Sequence, residues 1–288
     1  MCSSDLTLAL LKGSIPGQLM QAFRRQQVRG TQVGVSSQNS LEEIHRLLEL
    51  WQGKAGTQAK GGAIASWAAQ TDAWLEPNQH QNLIQPIDTS GLSHWGDLHP
   101  RWQQLLQRHA QGQLTPSGSV WGIPYRWTGL AIVYDRSKLP GSMTLQTWND
   151  LLQPGLHRQI MLPDQPRLVI GLGLKALELS ANQGDLDRVN GLADFLTHLH
   201  QQVRWYDSQY TLKALIEGDA WAVVTWLDGI VPVLSQYPNL KVVVPSQGTL
   251  ISADLWVRPK QSQSATTLQM AWLNFCLSPA FRSEEHTS

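Results

Sequence analysis

Helix-patterned segments alternate with short apolar runs along nearly the whole chain, and this alternation is the strongest constraint on the fold. Residues 18–27 carry Leu19, Met20 and Phe23 at helical spacing behind Ile15-Pro16-Gly17. Ser40-Leu-Glu-Glu43 reads as a capping box: the Ser40 hydroxyl can cap a free N–H and Glu43 can reach back. Leu41, Ile44, Leu47, Leu48 and Trp51 continue that helix. Residues 53–62, rich in Gly, Lys and Gln, read as an exposed loop. Further helices are predicted at 95–108, 147–152, 168–179, 186–203, 212–217 and 265–277, with Gly218 closing the fifth of these. Strand-like runs fall at 83–87, 121–134, 159–162, 221–226, 240–244 and 255–257. Pro124 interrupts the start of the second. Such alternation predicts an α/β fold with mostly parallel sheets. The pattern stops at that class and does not by itself show two lobes.

Composition narrows the function classes. The 288 residues are 42% hydrophobic, ample for a buried core. Lys plus Arg number 22 and so do Asp plus Glu, so no basic excess points to a nucleic-acid partner. Runs such as 221–227 are far shorter than a membrane span. Thirteen Trp is a high count; each is either core packing or a stacking surface for a ligand. The two Cys lack any metal-ligand or redox spacing, and Cys276, in the apolar run 270–277, reads as a small buried hydrophobe. His198 and His200, two apart on a helix, point to different faces and do not suggest a metal site. The chain holds no G-x-S-x-G, P-loop, G-x-G-x-x-G or H-E-x-x-H, so neither an enzyme nor a cofactor is expected.

The termini depart from the pattern. Residues 1–6 have neither a charged segment nor an apolar one, so they are no signal peptide. Residues 282–288 abandon the helical spacing before them. Both strings resemble translated sequencing-adapter DNA and are read as non-native ends, so compartment does not follow from the absent leader.

Six stretches, in order, resemble the bacterial spermidine/putrescine-binding proteins. They are Trp121-Gly-Ile-Pro-Tyr-Arg-Trp127 with Ala131-Ile-Val-Tyr134; Thr147-Trp-Asn-Asp-Leu-Leu-Gln-Pro154; and Leu162-Pro-Asp-Gln-Pro-Arg-Leu-Val-Ile170. Then follow Tyr206-Asp-Ser208 with Gly218-Asp-Ala-Trp221 through Trp226; Pro245-Ser-Gln-Gly248 to Asp254; and Trp272-Leu-Asn-Phe275. The resemblance covers roughly residues 8–281. It implies a two-lobed type 2 periplasmic-binding-protein fold with crossing hinge strands and ligand held in the inter-lobe cleft. Lobe one would be 7–133 completed by 253–281, and lobe two 134–252.

By that likeness the chain is the solute-binding component of an ABC transporter, periplasmic or membrane-anchored outside the cytoplasm. Its partners are a polyamine and the transporter's permease, and it is a monomer because one cleft per chain suffices. A polyamine carries several ammonium groups on a methylene chain, so its site needs carboxylates and aromatic faces. The likeness places a stacking indole at Trp226 and an ammonium-binding carboxylate at Asp254, although an Asp beside the strand 255–257 could instead cap a turn. It puts Asp72 among the contacts, with a helix N-cap as the plainer alternative. Trp127 falls at a cleft edge, Asp207 at either the cleft or an Asx-turn, and Asp228 next to Trp226. Arg126 is a cation near the expected cleft, solvated or paired. Two positions where the family carries acids read Gln165 and Leu168. The family's N-terminal Trp and Tyr contacts fall on Leu11 and Ser14, and a further cleft Trp falls on Ser252. Those departures keep other solutes open: an iron complex, thiamine or an anion. A two-lobed transferase would need a loop Cys, whereas Cys276 sits in a helix pattern. A sensor or scaffold without transport also fits.

Overall fold

The computed structural model describes residues 6–28, 30–53 and 63–281; the expected non-native ends fall outside it except for Leu6, and the 53–62 loop except for Gly53. The chain divides into two compact units. Thr128–Ile251 is one, and the segments before and after it form the other. The chain passes between them within two strands, at 127/128 and 251/252, where the resemblance implies 133/134 and 252/253.

The first unit opens with β1 (Leu6–Leu11), α1 (Gly17–Gln26), β2 (Val33–Gln38), α2 (Leu41–Gln52) and β3 (Trp67–Thr71). β1 lies between β2 and β3 and runs parallel to both, pairing Leu6 with Val33 and Leu8 with Trp67. Four of the six β1 residues are buried, as expected of a strand covered on both faces. α1 buries Leu19 and Phe23, and α2 buries Ile44, Leu48 and Trp51, the apolar stripes of their helical repeats. The α2 cap is a variant of the predicted box. Ser40 accepts from the Glu43 N–H at 3.2 Å, but Glu43 accepts from the N–H of Asn39 rather than that of Ser40.

Next come α3 (Leu75–His80), β4 (Ile84–Gln85), α4 (Pro100–Leu106), β5 (Gln107–Arg108) and β6 (Ser119–Val120). The continuous helix predicted over 95–108 is broken. A 3-10 turn at Trp95–Asp97 ends, His99 is extended, and α4 starts with Pro100 at its first turn. Proline lacks the N–H that a continuing helix needs and disfavours helical backbone in the residue before it.

β7 (Ile123–Asp135) leads into the second unit, whose further elements are β8 (Ile160–Leu162), α5 (Pro166–Ala176), α6 (Leu192–Gln202), β9 (Val203–Tyr206), α7 (Thr211–Glu217), β10 (Ala222–Trp226), α8 (Leu227–Ile230) and β11 (Leu240–Val243). β10 is antiparallel to β7 and parallel to β8, which is parallel to β9; β11 is antiparallel to β7. The helix predicted over 186–203 is a 3-10 turn at Leu186–Arg188 followed by α6, because Gly191 takes a left-handed φ of 82° that no helix can pass through. Gly218, at φ 80°, closes α7 as predicted.

β12 (Ile251–Pro259) and α9 (Thr267–Leu277) return to the first unit. β12 runs antiparallel to β3, with Asp254 opposite Thr71 and Val257 opposite Ala68. α9 buries Trp272, Leu273, Phe275, Cys276 and Leu277. Trp272 meets Phe23 edge-on at 4.9 Å and Trp256 at 5.6 Å, so the last segment of the chain supplies the centre of the first unit's core. The indoles divide accordingly. Trp51, Trp67, Trp148, Trp256 and Trp272 are buried, and the other eight are half-buried, Trp127 and Trp226 among them.

Candidate functional site

Ligands of open α/β sheets gather beyond the carboxyl ends of parallel strands, where loops and helix N-termini leave unpaired polar groups. In the first unit these ends are Leu11, Gln38 and Thr71. Asp72 follows Thr71 directly. One oxygen of its carboxylate accepts from the Ser252 hydroxyl at 2.9 Å and the Ala253 N–H at 3.1 Å. Asp72 is thus no helix N-cap: it ties the end of β3 to β12. Asp254 lies inside β12 and caps no turn. Its Oδ2 accepts from Arg126 Nε at 2.7 Å and Nη2 at 2.5 Å. Arg126 is paired rather than solvated.

Tyr125, beside Arg126 in β7, is buried against Trp256 at 5.0 Å. Burial, then the charge of Asp254, push its hydroxyl well above the usual tyrosine range, while Arg126 pulls the other way. Ser14, three residues past β1, is buried. Trp127 leans on Trp102, ring centres 4.4 Å apart at 40°. The first unit therefore gathers Asp72, Ser252, Asp254 and Arg126 where the end of β3 meets β12 and β7.

In the second unit the parallel strands β8, β9 and β10 end at Leu162, Tyr206 and Trp226. Trp226, opposite Leu130 in the β10–β7 ladder, walls a small pocket with Leu130, Pro163, Ser208, Thr211 and Thr225. The Thr211 and Thr225 hydroxyls are 3.3 Å apart, and the Ser208 hydroxyl donates to the Asp164 carboxylate. Ser208 lies two residues past β9, Thr211 opens α7 and Thr225 lies inside β10, so no local spacing in the sequence marks these hydroxyls as a group. Asp207 makes the Asx-turn that opens α7, its Oδ1 accepting from the N–H groups of Gln209 at 2.6 Å and Tyr210 at 2.7 Å. Asp228, exposed at the start of α8, accepts from the Thr128 hydroxyl at 3.1 Å. Gln165 is exposed at the N-cap position of α5 without a capping hydrogen bond, and Leu168 is buried in that helix. No group of three or more acids, His or Cys that could hold a metal is found among the described residues. His200 instead pairs through Nδ1 with the Tyr206 hydroxyl at 3.0 Å.

The family model described as bacterial extracellular solute-binding protein matches residues 68–284. The chain belongs to that family. This solute-binding protein is 22% identical over 223 residues to the putrescine-binding periplasmic protein PotF of Escherichia coli (strain K12), a match covering 72% of this chain. It spans 58% of PotF's length. Its fold matches the spermidine/putrescine ABC transporter substrate-binding protein PotD from Streptococcus pneumoniae, solved with calcium and HEPES, at a TM-score of 0.81 and 22% identity; the match covers 99% of this chain and 82% of that one. The TpPotD lipoprotein of Treponema pallidum gives 0.76 and 17%, covering 97% and 82%. The α/β fold is thus the type 2 periplasmic-binding-protein fold. The family's description places its members outside the cytoplasm. No helix among the described residues is long and apolar enough to cross a membrane.

Proposed function

We propose that this protein captures a polyamine of the putrescine/spermidine kind and delivers it to an ABC transporter permease, performing no chemistry on it. The observation that carries this reading is Trp226, an indole held at the carboxyl end of β10 in a pocket it shares with Ser208, Thr211 and Thr225. An indole face attracts an ammonium and covers methylenes, the two chemistries a polyamine presents. Trp127, Asp72, Asp254 and Asp228 add an aromatic face and carboxylates, Gln165 and Ser252 add uncharged polar groups, and Asp207 shapes the loop beside Ser208. The relatives named for putrescine and spermidine support the solute class. The protein works as a monomer, in the periplasm or tethered to the outer side of a membrane. A second reading, a less cationic solute such as thiamine, an iron complex or an anion, is favoured by the uncharged Gln165 and Leu168.

A thermal-shift screen with putrescine, spermidine, thiamine, iron chelates and amino acids decides between them. Putrescine or spermidine raises the melting temperature, since a ligand at 100 times its Kd stabilises by about 2.7 kcal/mol. Absence of any shift with both rejects the polyamine reading.

A further inference from the structure

We infer that Arg126 is a tethered counter-cation that occupies the ammonium position at Asp254 and so sets how well this chain accepts polyamines. The inference rests on the polyamine reading above. Two nitrogens of the guanidinium converge on one oxygen, Nε at 2.7 Å and Nη2 at 2.5 Å from Oδ2. The pair is partly sheltered: the side chains keep 27% and 19% of their exposure, enough shelter to strengthen the charge contact and enough opening for a solute to reach it.

Neither partner is free to drift. Arg126 sits in β7 between Tyr125, buried against Trp256, and Trp127, packed on Trp102. Asp254 is fixed in the β3–β12 ladder opposite Thr71. An arginine stays charged at every physiological pH, so the plug does not titrate away. An arriving ammonium therefore meets a carboxylate already neutralised by a cation of the same chain. It must turn the guanidinium out, and the displaced charge then repels it. Asp72, one residue past Thr71, keeps its own oxygen tied to Ser252 and Ala253. Arg126 is thus a specificity-determining residue acting against cationic solutes, and Asp254 is the group through which it acts.

Calorimetric titration of putrescine and spermidine into a double-mutant cycle tests this. Arg126→Met binds either polyamine about tenfold more tightly than the native chain, the scale of one charge-assisted contact regained. Arg126→Lys, which keeps the cation, stays near native affinity. Asp254→Asn in the Arg126→Met background removes the gain, so the two substitutions are strongly non-additive. Far-UV circular dichroism and melting temperature identify variants that keep the fold, and Arg126→Gln replaces Arg126→Met if the latter does not. A folded Arg126→Met or Arg126→Gln variant that gains nothing, or a gain that survives Asp254→Asn, overturns the plug while polyamine binding by the native chain leaves the function standing. If no polyamine binds the native chain, the polyamine reading falls, and the plug, which rests on it, falls with it.

Discussion

Asp150 shows how much one side chain can do when the chain places donors around it. Its carboxylate accepts from the N–H groups of Gln146 and Thr147, both at 2.8 Å, from the Thr147 hydroxyl at 2.9 Å and from the Gln153 amide at 3.1 Å. Burial raises its pKa, but these bonds together outweigh it and hold the group below its ordinary value of 3.8. A carboxyl depressed in the folded state contributes stability above its unfolded pKa and loses it as pH falls through the folded one. Asp150→Ala should therefore cost about 1–2 kcal/mol at pH 7, the usual worth of such a cap. Urea denaturation at pH 7 and near pH 3 should show the gap between variant and native chain narrowing in acid; a gap that stays constant rejects this account. The sequence predicts a short helix over 147–152, and the structure adds that Thr147 and Asp150 cap it reciprocally. The Arg126–Asp254 pair was not legible in the sequence, because its partners are separated by 128 positions and only the β3–β12 ladder and β7 bring them together.

Among the elements, glycines separate backbone need from space. At Gly218 an added Cβ would meet only the end of Lys138, no closer than 3.7 Å, so the obstacle is φ alone. Gly218→Ala should cost about 1 kcal/mol, the penalty of a left-handed L-residue. At Gly118 a Cβ would fall 2.5 Å from the Arg108 carbonyl oxygen, which is backbone and cannot yield. Gly118→Ala should cost clearly more and loosen the β5–β6 hairpin. Chemical denaturation of the two variants checks the order; equal costs would refute the steric distinction. Helix ends were legible where they carry their own signal, as with Gly218 and Ser40. The break at Pro100 was overrun because the apolar spacing of 95–108 persists through it.

For the whole molecule, the two units differ in how they are encoded. The second is one continuous segment with cores of its own, one built around Leu130, Trp148 and Phe195, another around Val133, Met161 and Val223. Residues 128–251 expressed alone should give a cooperative thermal transition, with the Leu130 N–H and the Leu250 carbonyl closing its ends at 2.9 Å. Residues 1–127 alone should not, because Trp256, Trp272, Phe275 and Phe281 of that unit's core come from the returning segment. Broad, uncooperative melting of the 128–251 fragment would contradict this.

The alternation of periodic segments with apolar runs points to the α/β class, to many helices and second-unit strands and to the caps at Ser40 and Gly218, which are written within a few residues of one another; it misses β1, β2 and β3, and the pairing is mixed rather than mostly parallel. The six ordered stretches also point to the solute-binding family. Which acid is already matched with a cation, which indole lies in the core and which at a strand end, and which hydroxyls share a pocket with Trp226 were decided only on folding. Each depends on residues far apart in the chain, whose meeting is set by strand order and register rather than by any local spacing.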